Sequence, residues 1–197
     1  MASSSPRAWQ RMLSGRRLDL LDPSPLDIEI GDIAHGLARV ARWNGQTIGD
    51  HAFSVAQHSV IVESLVAHLK PGVSRRWRRA ALLHDAPEYV IGDMISPFKA
   101  ALGLDYKSFE ARLQHAIHIR FGLPPDLPDE IRAVIKKADR MSAYWEAVEL
   151  AGFSAAEAAS FFGPRPTMEA PELTPSSPTE IEARFLSRFQ ALQDPAT

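Results

Sequence analysis

The sequence predicts an all-α protein, and three observations lead to this prediction. Apolar residues recur at helical spacing through several successive stretches of the chain. Glycine and proline stand mainly at the ends of these stretches, where they stop helices. No internal repeat and no convincing sheet pattern interrupts the series. We therefore expect a bundle of helices joined by short turns.

An arm, residues 1–30, precedes the predicted helices and is rich in Ser, Arg and Pro. Its segment LDIEI, residues 26–30, alternates apolar and acidic residues and could form a short strand or an extended stretch. Asp32 is a plausible N-cap for the first helix, and Ser74 for the third. The helices are predicted over about 32–43, 53–69, 75–84, 97–102, 106–121, 128–150, 154–162 and 179–192.

The domain organisation follows from where the helical pattern breaks. Residues 31–162 form the predicted helical core after the arm. Residues 163–178 contain five prolines and cannot pack regularly. An amphipathic helix follows them, so residues 163–197 are expected to fold back onto the core as a proline-rich segment and a C-terminal helix.

Composition excludes several classes of function. The formal net charge of −2 provides no global basic field for a nucleic acid polymer or an anionic membrane. The chain has no cysteine, which excludes disulfides, thiolate catalysis and cysteine-ligated zinc. No stretch approaches the roughly 20 apolar residues of a membrane span, and the N-terminus lacks the apolar core of a secretory signal. These features predict a soluble, cytoplasmic protein.

Three predicted helices each place a histidine or an acid on the apolar side, namely His58, His84 and Asp139. A single inward histidine is more often a hydrogen-bonded core residue than a ligand, and spacing alone leaves that interpretation open. An isolated buried carboxylate, by contrast, costs several kcal/mol unless something compensates its charge. One divalent cation would explain all three residues together with Asp85, which follows His84. We therefore predict a shared metal site with these four ligands.

The ligand set restricts the choice of metal. Two imidazoles and two carboxylates leave two open positions on an octahedral ion. This mixture of nitrogen and oxygen ligands suits Mn²⁺, Co²⁺, Fe²⁺ or Ni²⁺, with Mg²⁺ less expected. A closed tetrahedral zinc site is disfavoured because catalysis needs vacant positions for water and substrate.

Three segments also resemble a known family. QHS at 57–59, LLHDAPE at 82–88 and KADR at 137–140 resemble the ordered H…HD…D signature of HD-domain metal-dependent phosphohydrolases, over about residues 31–152. Within that superfamily they are most similar to the YfbR-type 5′-deoxynucleotidases, which remove phosphate from deoxynucleoside 5′-monophosphates. The arm and the proline-rich segment do not match that enzyme, which leaves the substrate open.

The resemblance also implies roles for residues around the metal. Glu88 is expected to orient or deprotonate the attacking water, and Asp93 to deliver a proton to the leaving 5′-oxygen. Arg42 and Trp43 are expected near the nucleotide, with the indole disfavouring a 2′-hydroxyl, and Lys99 near the phosphate. The alternatives are a capping or exposed acid for Glu88, a turn residue for Asp93, a helix boundary for the Arg-Trp pair and a solvated lysine.

Two further functions and the oligomeric state remain open at this point. An alarmone hydrolase would share the H…HD…D signature. Such enzymes usually carry a Glu-Asp pair after the HD motif, whereas here Glu88 is followed by Tyr89, which disfavours this function. A nucleotide-binding module without turnover would need no water activator. Similar small phosphohydrolases are dimers, so a homodimer is expected, with an apolar stripe at Phe185, Phe189 and Leu192 as its interface unless that stripe covers its own core.

Overall fold

The computed structural model describes the backbone of residues 8–93 and 104–193, and the side chains of the same residues except 104–106. Within these residues the structure is mostly helical, and the all-α prediction is confirmed. The eight α-helices are α1 (Ile30–Leu37), α2 (Val55–Leu69), α3 (Arg75–Leu82), α4 (Glu88–Ile91), α5 (Leu104–Arg120), α6 (Asp129–Glu149), α7 (Ala155–Phe162) and α8 (Pro178–Ala191). The helix predicted over 97–102 lies outside the described residues. None of the described helices is both long enough and apolar enough to cross a membrane.

Side-chain caps explain several of the helix starts. The hydroxyl of Ser54 accepts from the Gln57 amide and opens α2. Capping boxes begin α7 and α8, in which Ser154 pairs with Glu157 and Ser177 pairs with Glu180. Ser74 precedes α3 as predicted, although its side chain makes no capping bond.

The expectation that Asp32 caps α1 is wrong. The N-cap is Glu29, and Asp32 lies one turn inside the helix, where it is almost completely buried. Its carboxylate accepts from the Ser14 amide at 2.9 Å and from the Ser14 hydroxyl at 2.5 Å. The side chain therefore fastens the arm to the core, and it is this long-range partner that local sequence could not indicate.

The arm contains a small sheet that the sequence pattern did not predict. Strands β1 (Trp9–Arg11) and β2 (Arg17–Asp19) pair antiparallel, and Leu18 in β2 is fully buried. The LDIEI segment does not join this sheet: a 3₁₀ turn over Pro25–Asp27 leads to extended backbone at Ile28 and then into α1. Ile28 is also fully buried, so the arm is packed onto the helical core.

The C-terminal helix folds back onto the core, as predicted. Phe185, Phe189 and Leu192 are all buried within their own chain. The buried Glu63 on α2 reinforces this packing, since it accepts from Arg78 on α3 at 2.5 Å and from Arg188 on α8 at 2.6 Å. The apolar stripe of α8 therefore does not provide the interface expected for a homodimer.

Two helices end earlier than predicted, and both ends shape the site. Helix α1 stops at Leu37, and a 3₁₀ segment over Arg42–Gly45 precedes α2. Helix α3 stops at Leu82, so His84 lies in the turns between α3 and α4 instead of in the last turn of α3.

Helix α4 packs closely on α1. A Cβ added at Gly36 would lie only 2.8 Å from the Cβ of Tyr89, so the glycine is required for this close approach.

Candidate active site

His58 lies on α2 with no exposed surface. Its Nδ1 is 2.6 Å from Oε1 of Glu146, a carboxylate on α6. Its Nε2 points to the other side, 3.2 Å from Oδ1 of Asp139 and 3.6 Å from Oδ2 of Asp85. The carboxylate at Nδ1 assigns the ring proton to that nitrogen and leaves a lone pair on Nε2.

His84 repeats this arrangement from a different segment. Its Nδ1 is 2.9 Å from the carbonyl oxygen of Ala81, one turn earlier in the chain. Its Nε2 is 3.2 Å from Oδ2 of Asp85, and its ring centroid is 5.2 Å from that of His58. A carbonyl can only accept, so the proton of His84 also belongs on Nδ1, and the Nε2 lone pair faces the same space.

The four predicted ligands are brought to one place. One ligand atom each from His58, His84 and Asp139 lies within 4.8 Å of the other two, while Asp85 is close to both imidazoles through a single oxygen. Within the described chain, neither Nε2 has a hydrogen bond of acceptable geometry, although both are buried. Two buried lone pairs that face carboxylates are mutually repulsive unless a cation lies between them. This chemistry fits a divalent metal.

The pKa values of the clustered residues also favour a bound cation. Burial raises the pKa of the Asp85 carboxyl, but His84, His58 and Arg42 outweigh burial and hold the pKa well below its usual range. The pKa of Asp139 is lowered as well: burial raises it, and the interaction with His58, whose Nε2 lies 3.2 Å from Oδ1, more than compensates. Burial and Arg42 lower the pKa of His58, yet Glu146 and Asp139 raise it overall to about 9. The cluster thus offers two ionised carboxylates, and a metal would replace a proton on His58.

Glu146 is the residue that sequence reasoning missed. It is fully buried, and its carboxylate accepts from Ser142 Oγ at 2.7 Å, Arg42 Nε at 2.8 Å and Trp43 Nε1 at 3.0 Å in addition to His58. Burial raises its pKa, but Arg42 and His58 lower it further, so the group stays ionised. Its position seven residues after Asp139, hence on the same helical face, was the available signal.

Arg42 and Trp43 reach this network from the 3₁₀ segment. Arg42 Nη1 lies 3.8 Å from Asp85 and 4.0 Å from Asp93, so the guanidinium connects Glu146 with both acids. Trp43 has a left-handed backbone, with φ of 56°, which is strained for a bulky residue. Its hydrogen bond to Glu146 and its ring contacts with Phe153 and Phe162 hold it there.

Glu88 and Asp93 lie at the two ends of α4. Glu88 is the first residue of α4 and is 3% exposed, so the alternative of an exposed acid is wrong. Asp93 follows Gly92, which ends α4 with φ of +74°, and it approaches the cluster through Arg42. Lys99 lies outside the described residues.

The fold and the site together define a helical protein with a candidate divalent-metal centre between α2, the α3–α4 turns and α6. The chain belongs to the YfbR-like 5′-deoxynucleotidase family, whose model matches residues 33–160. The match begins in α1 and ends inside α7, so it contains every predicted site residue. The family implies a hydrolase, and the resemblance inferred from the sequence is confirmed.

Two curated relatives extend beyond the family match. An uncharacterized protein of Rhodobacter capsulatus is 60% identical over 190 residues, which cover 94% of this chain and 96% of the relative. The uncharacterized protein YfdR of Escherichia coli K12 is 30% identical over 168 residues, which cover 85% of this chain and 86% of that protein. The first similarity therefore includes much of the arm and of the proline-rich segment.

Proposed function

We propose that this protein is a metal-dependent phosphohydrolase that releases phosphate from nucleoside 5′-monophosphates and prefers deoxynucleotides. One observation supports it most strongly. His58 and His84 each have Nδ1 tied to an acceptor and a buried Nε2 facing carboxylates. Histidines that bind metals in proteins are oriented in this way by a carboxylate or carbonyl behind the ring.

In this proposal His58, His84, Asp85 and Asp139 hold one divalent ion. When bound, such an ion acidifies a water molecule and polarises a phosphoryl oxygen. Mn²⁺, Co²⁺, Fe²⁺ and Ni²⁺ suit the mixed ligand set best. Glu146 is a positioning residue, because it orients the His58 ring and fixes Arg42 and Trp43.

The other residues act on water, phosphate and sugar. Glu88 orients or deprotonates the attacking water, and its burial at the start of α4 favours such a role over a solvated one. Asp93 supplies a proton to the leaving 5′-oxygen, and Arg42, which is close to Asp85 and Asp93, contacts the phosphate. Lys99 is a further candidate for a phosphate contact.

Trp43 supports the deoxynucleotide preference. Its single donor, Nε1, is engaged by Glu146, so the exposed part of the indole has no hydrogen-bonding group to offer a ribose hydroxyl. A 2′-hydroxyl placed beside it would be desolvated without a partner. The cytoplasmic location and the homodimer also remain proposals, and the dimer now rests on the family resemblance rather than on α8.

Phosphate release from a panel of nucleoside 5′-monophosphates, with Mn²⁺ or Co²⁺ and with chelator, tests the activity. Metal-dependent release is expected, together with loss of bound metal in Asp139→Ala by elemental analysis while the variant stays folded. Release from guanosine tetraphosphate alone would favour an alarmone hydrolase. Absence of release from every nucleotide would favour a binding module and contradict the proposal.

A further inference from the structure

A cavity of about 240 Å³ opens next to the metal cluster. His84 and Asp139 are part of its lining, so a group bound to the metal would border the cavity. Leu127 and Ile135 provide an apolar wall. The cavity also has a cationic part, formed by Arg132 and Lys136 of α6.

The cationic residues lie on the ligand-bearing face of α6. At about 100° per residue, Lys136 and Arg132 are within about 60° of Asp139 around the helix, whereas Lys137 is about 160° away. Lys136 is one turn from Asp139, and Arg132 is two turns away, which corresponds to roughly 4.5 and 10.5 Å of helix rise. The two cations therefore follow the cavity away from the metal.

Among the described residues, neither Arg132 nor Lys136 forms a strong ion pair with another side chain. Arg132 donates to the Leu127 carbonyl at 2.9 Å and lies 3.4 Å from the Asp129 carboxylate. The Asp129 side chain is 97% exposed, and such an exposed pair contributes little, so the guanidinium can turn to another anion at small cost. Lys136 is exposed and forms no hydrogen bond or ion pair with the described residues.

We propose that Lys136 and Arg132 form a second anion subsite, which binds an additional phosphate group of the nucleotide substrate. This inference rests on the proposed function, since it assumes that the first phosphate binds at the metal cluster beside Arg42. Leu127 and Ile135 in the same lining then contact the nucleoside. The chain accordingly binds nucleotides with two phosphate groups more tightly than monophosphates.

Probes that cannot be hydrolysed allow a direct test. Binding of a deoxyadenosine 5′-phosphonate, with and without a 3′-phosphate, is measured by calorimetry with Mn²⁺-loaded protein. A 5′-diphosphonate provides a second arm, which distinguishes a 3′-phosphate from a phosphoanhydride-like extension. We expect the second anionic group to tighten binding by about 5- to 20-fold, because two exposed cations each contribute modestly. The gain should shrink as salt is raised.

The matched variants are Lys136→Gln, Arg132→Gln and the control Lys137→Gln, which removes the same charge from the opposite face. The gain should fall several-fold in the first two and persist in the control. Equal affinities of the wild type for singly and doubly charged probes would overturn the subsite, as would an equal loss in the control. Equal weakening of both probes in Lys136→Gln would also overturn it, because Lys136 would then bind the first phosphate.

The proposed function and the subsite fail in different ways. If nucleotides release no phosphate but the affinity gain depends on Lys136, the hydrolase proposal fails and the subsite stands. If phosphate is released and the gain is absent, the subsite alone is refuted. If nucleotides release no phosphate and no probe binds, both are refuted.

Discussion

Glu146→Gln is the sharpest test of how this site is organised. The carboxylate accepts four hydrogen bonds: Oε1 from His58 and Ser142, and Oε2 from Arg42 and Trp43. Glutamine has nearly the same shape but only one accepting oxygen, so its NH₂ group must face one of these donor pairs. The substitution also removes the negative charge beside the buried Arg42 guanidinium.

The magnitude follows from the two functions of the carboxylate. Partners that orient a metal-binding histidine are worth about 10- to 100-fold in metal affinity, or roughly 1.4–2.8 kcal/mol. Breaking a buried ion pair by removing one partner costs about 3–5 kcal/mol of folding stability. Since the amide keeps one acceptor, we expect a loss near 3 kcal/mol in the free energy of unfolding. This is less than the 5–15 kcal/mol typical of a domain, so the variant should fold.

Metal titration by calorimetry and urea unfolding of the metal-free protein measure these two effects separately. Glu149→Gln is the matched control, because it lies on the same helix three residues later and is exposed. The control should change neither quantity measurably. Wild-type metal affinity in a folded Glu146→Gln variant would refute the view that Glu146 positions His58.

Three further predictions concern water activation, helix packing and the sugar. Glu88→Gln should keep bound metal in elemental analysis while phosphate release slows by about 10²- to 10⁴-fold; an unchanged rate would remove Glu88 from the mechanism. Gly36→Ala should destabilise the protein by about 1–3 kcal/mol in urea unfolding, because its Cβ would meet Tyr89 at 2.8 Å. Gly31→Ala in the same helix is the control, since its Cβ would meet nothing within 4 Å and should instead stabilise α1; equal effects would contradict the close packing of α1 on α4. The wild type should favour dAMP over AMP by about 10- to 100-fold in kcat/KM, since an unpaired buried hydroxyl costs roughly 1–3 kcal/mol, and Trp43→Ala should reduce that ratio; equal efficiencies in the wild type would show that the indole does not exclude the 2′-hydroxyl.

The periodicity of the chain predicted most of the helices and the burial of His58, whereas His84 reaches the site from the turns after α3 and the Asp139 side chain is 39% exposed. Such a prediction is possible because an apolar stripe identifies the buried side of a helix from neighbouring residues alone. An isolated inward carboxylate is costly unless its charge is compensated, so two histidines and two acids together made a cation the economical explanation. The roles of these residues as ligands remain predictions, although the structure places them around one point.

Periodicity does not identify the residues that a buried helix face contacts. In this protein the tertiary structure determined those contacts. Glu146 forms hydrogen bonds with His58 and Arg42, which lie 88 and 104 positions earlier in the sequence. Its function therefore depends on how α2 and the 3₁₀ segment approach α6. The stripe on α8 could have met a second copy or its own core, and the ion pairs of Glu63 with Arg78 and Arg188 accompany its packing on the core. Local sequence sets which side chains must be buried, whereas long-range packing determines which groups they meet.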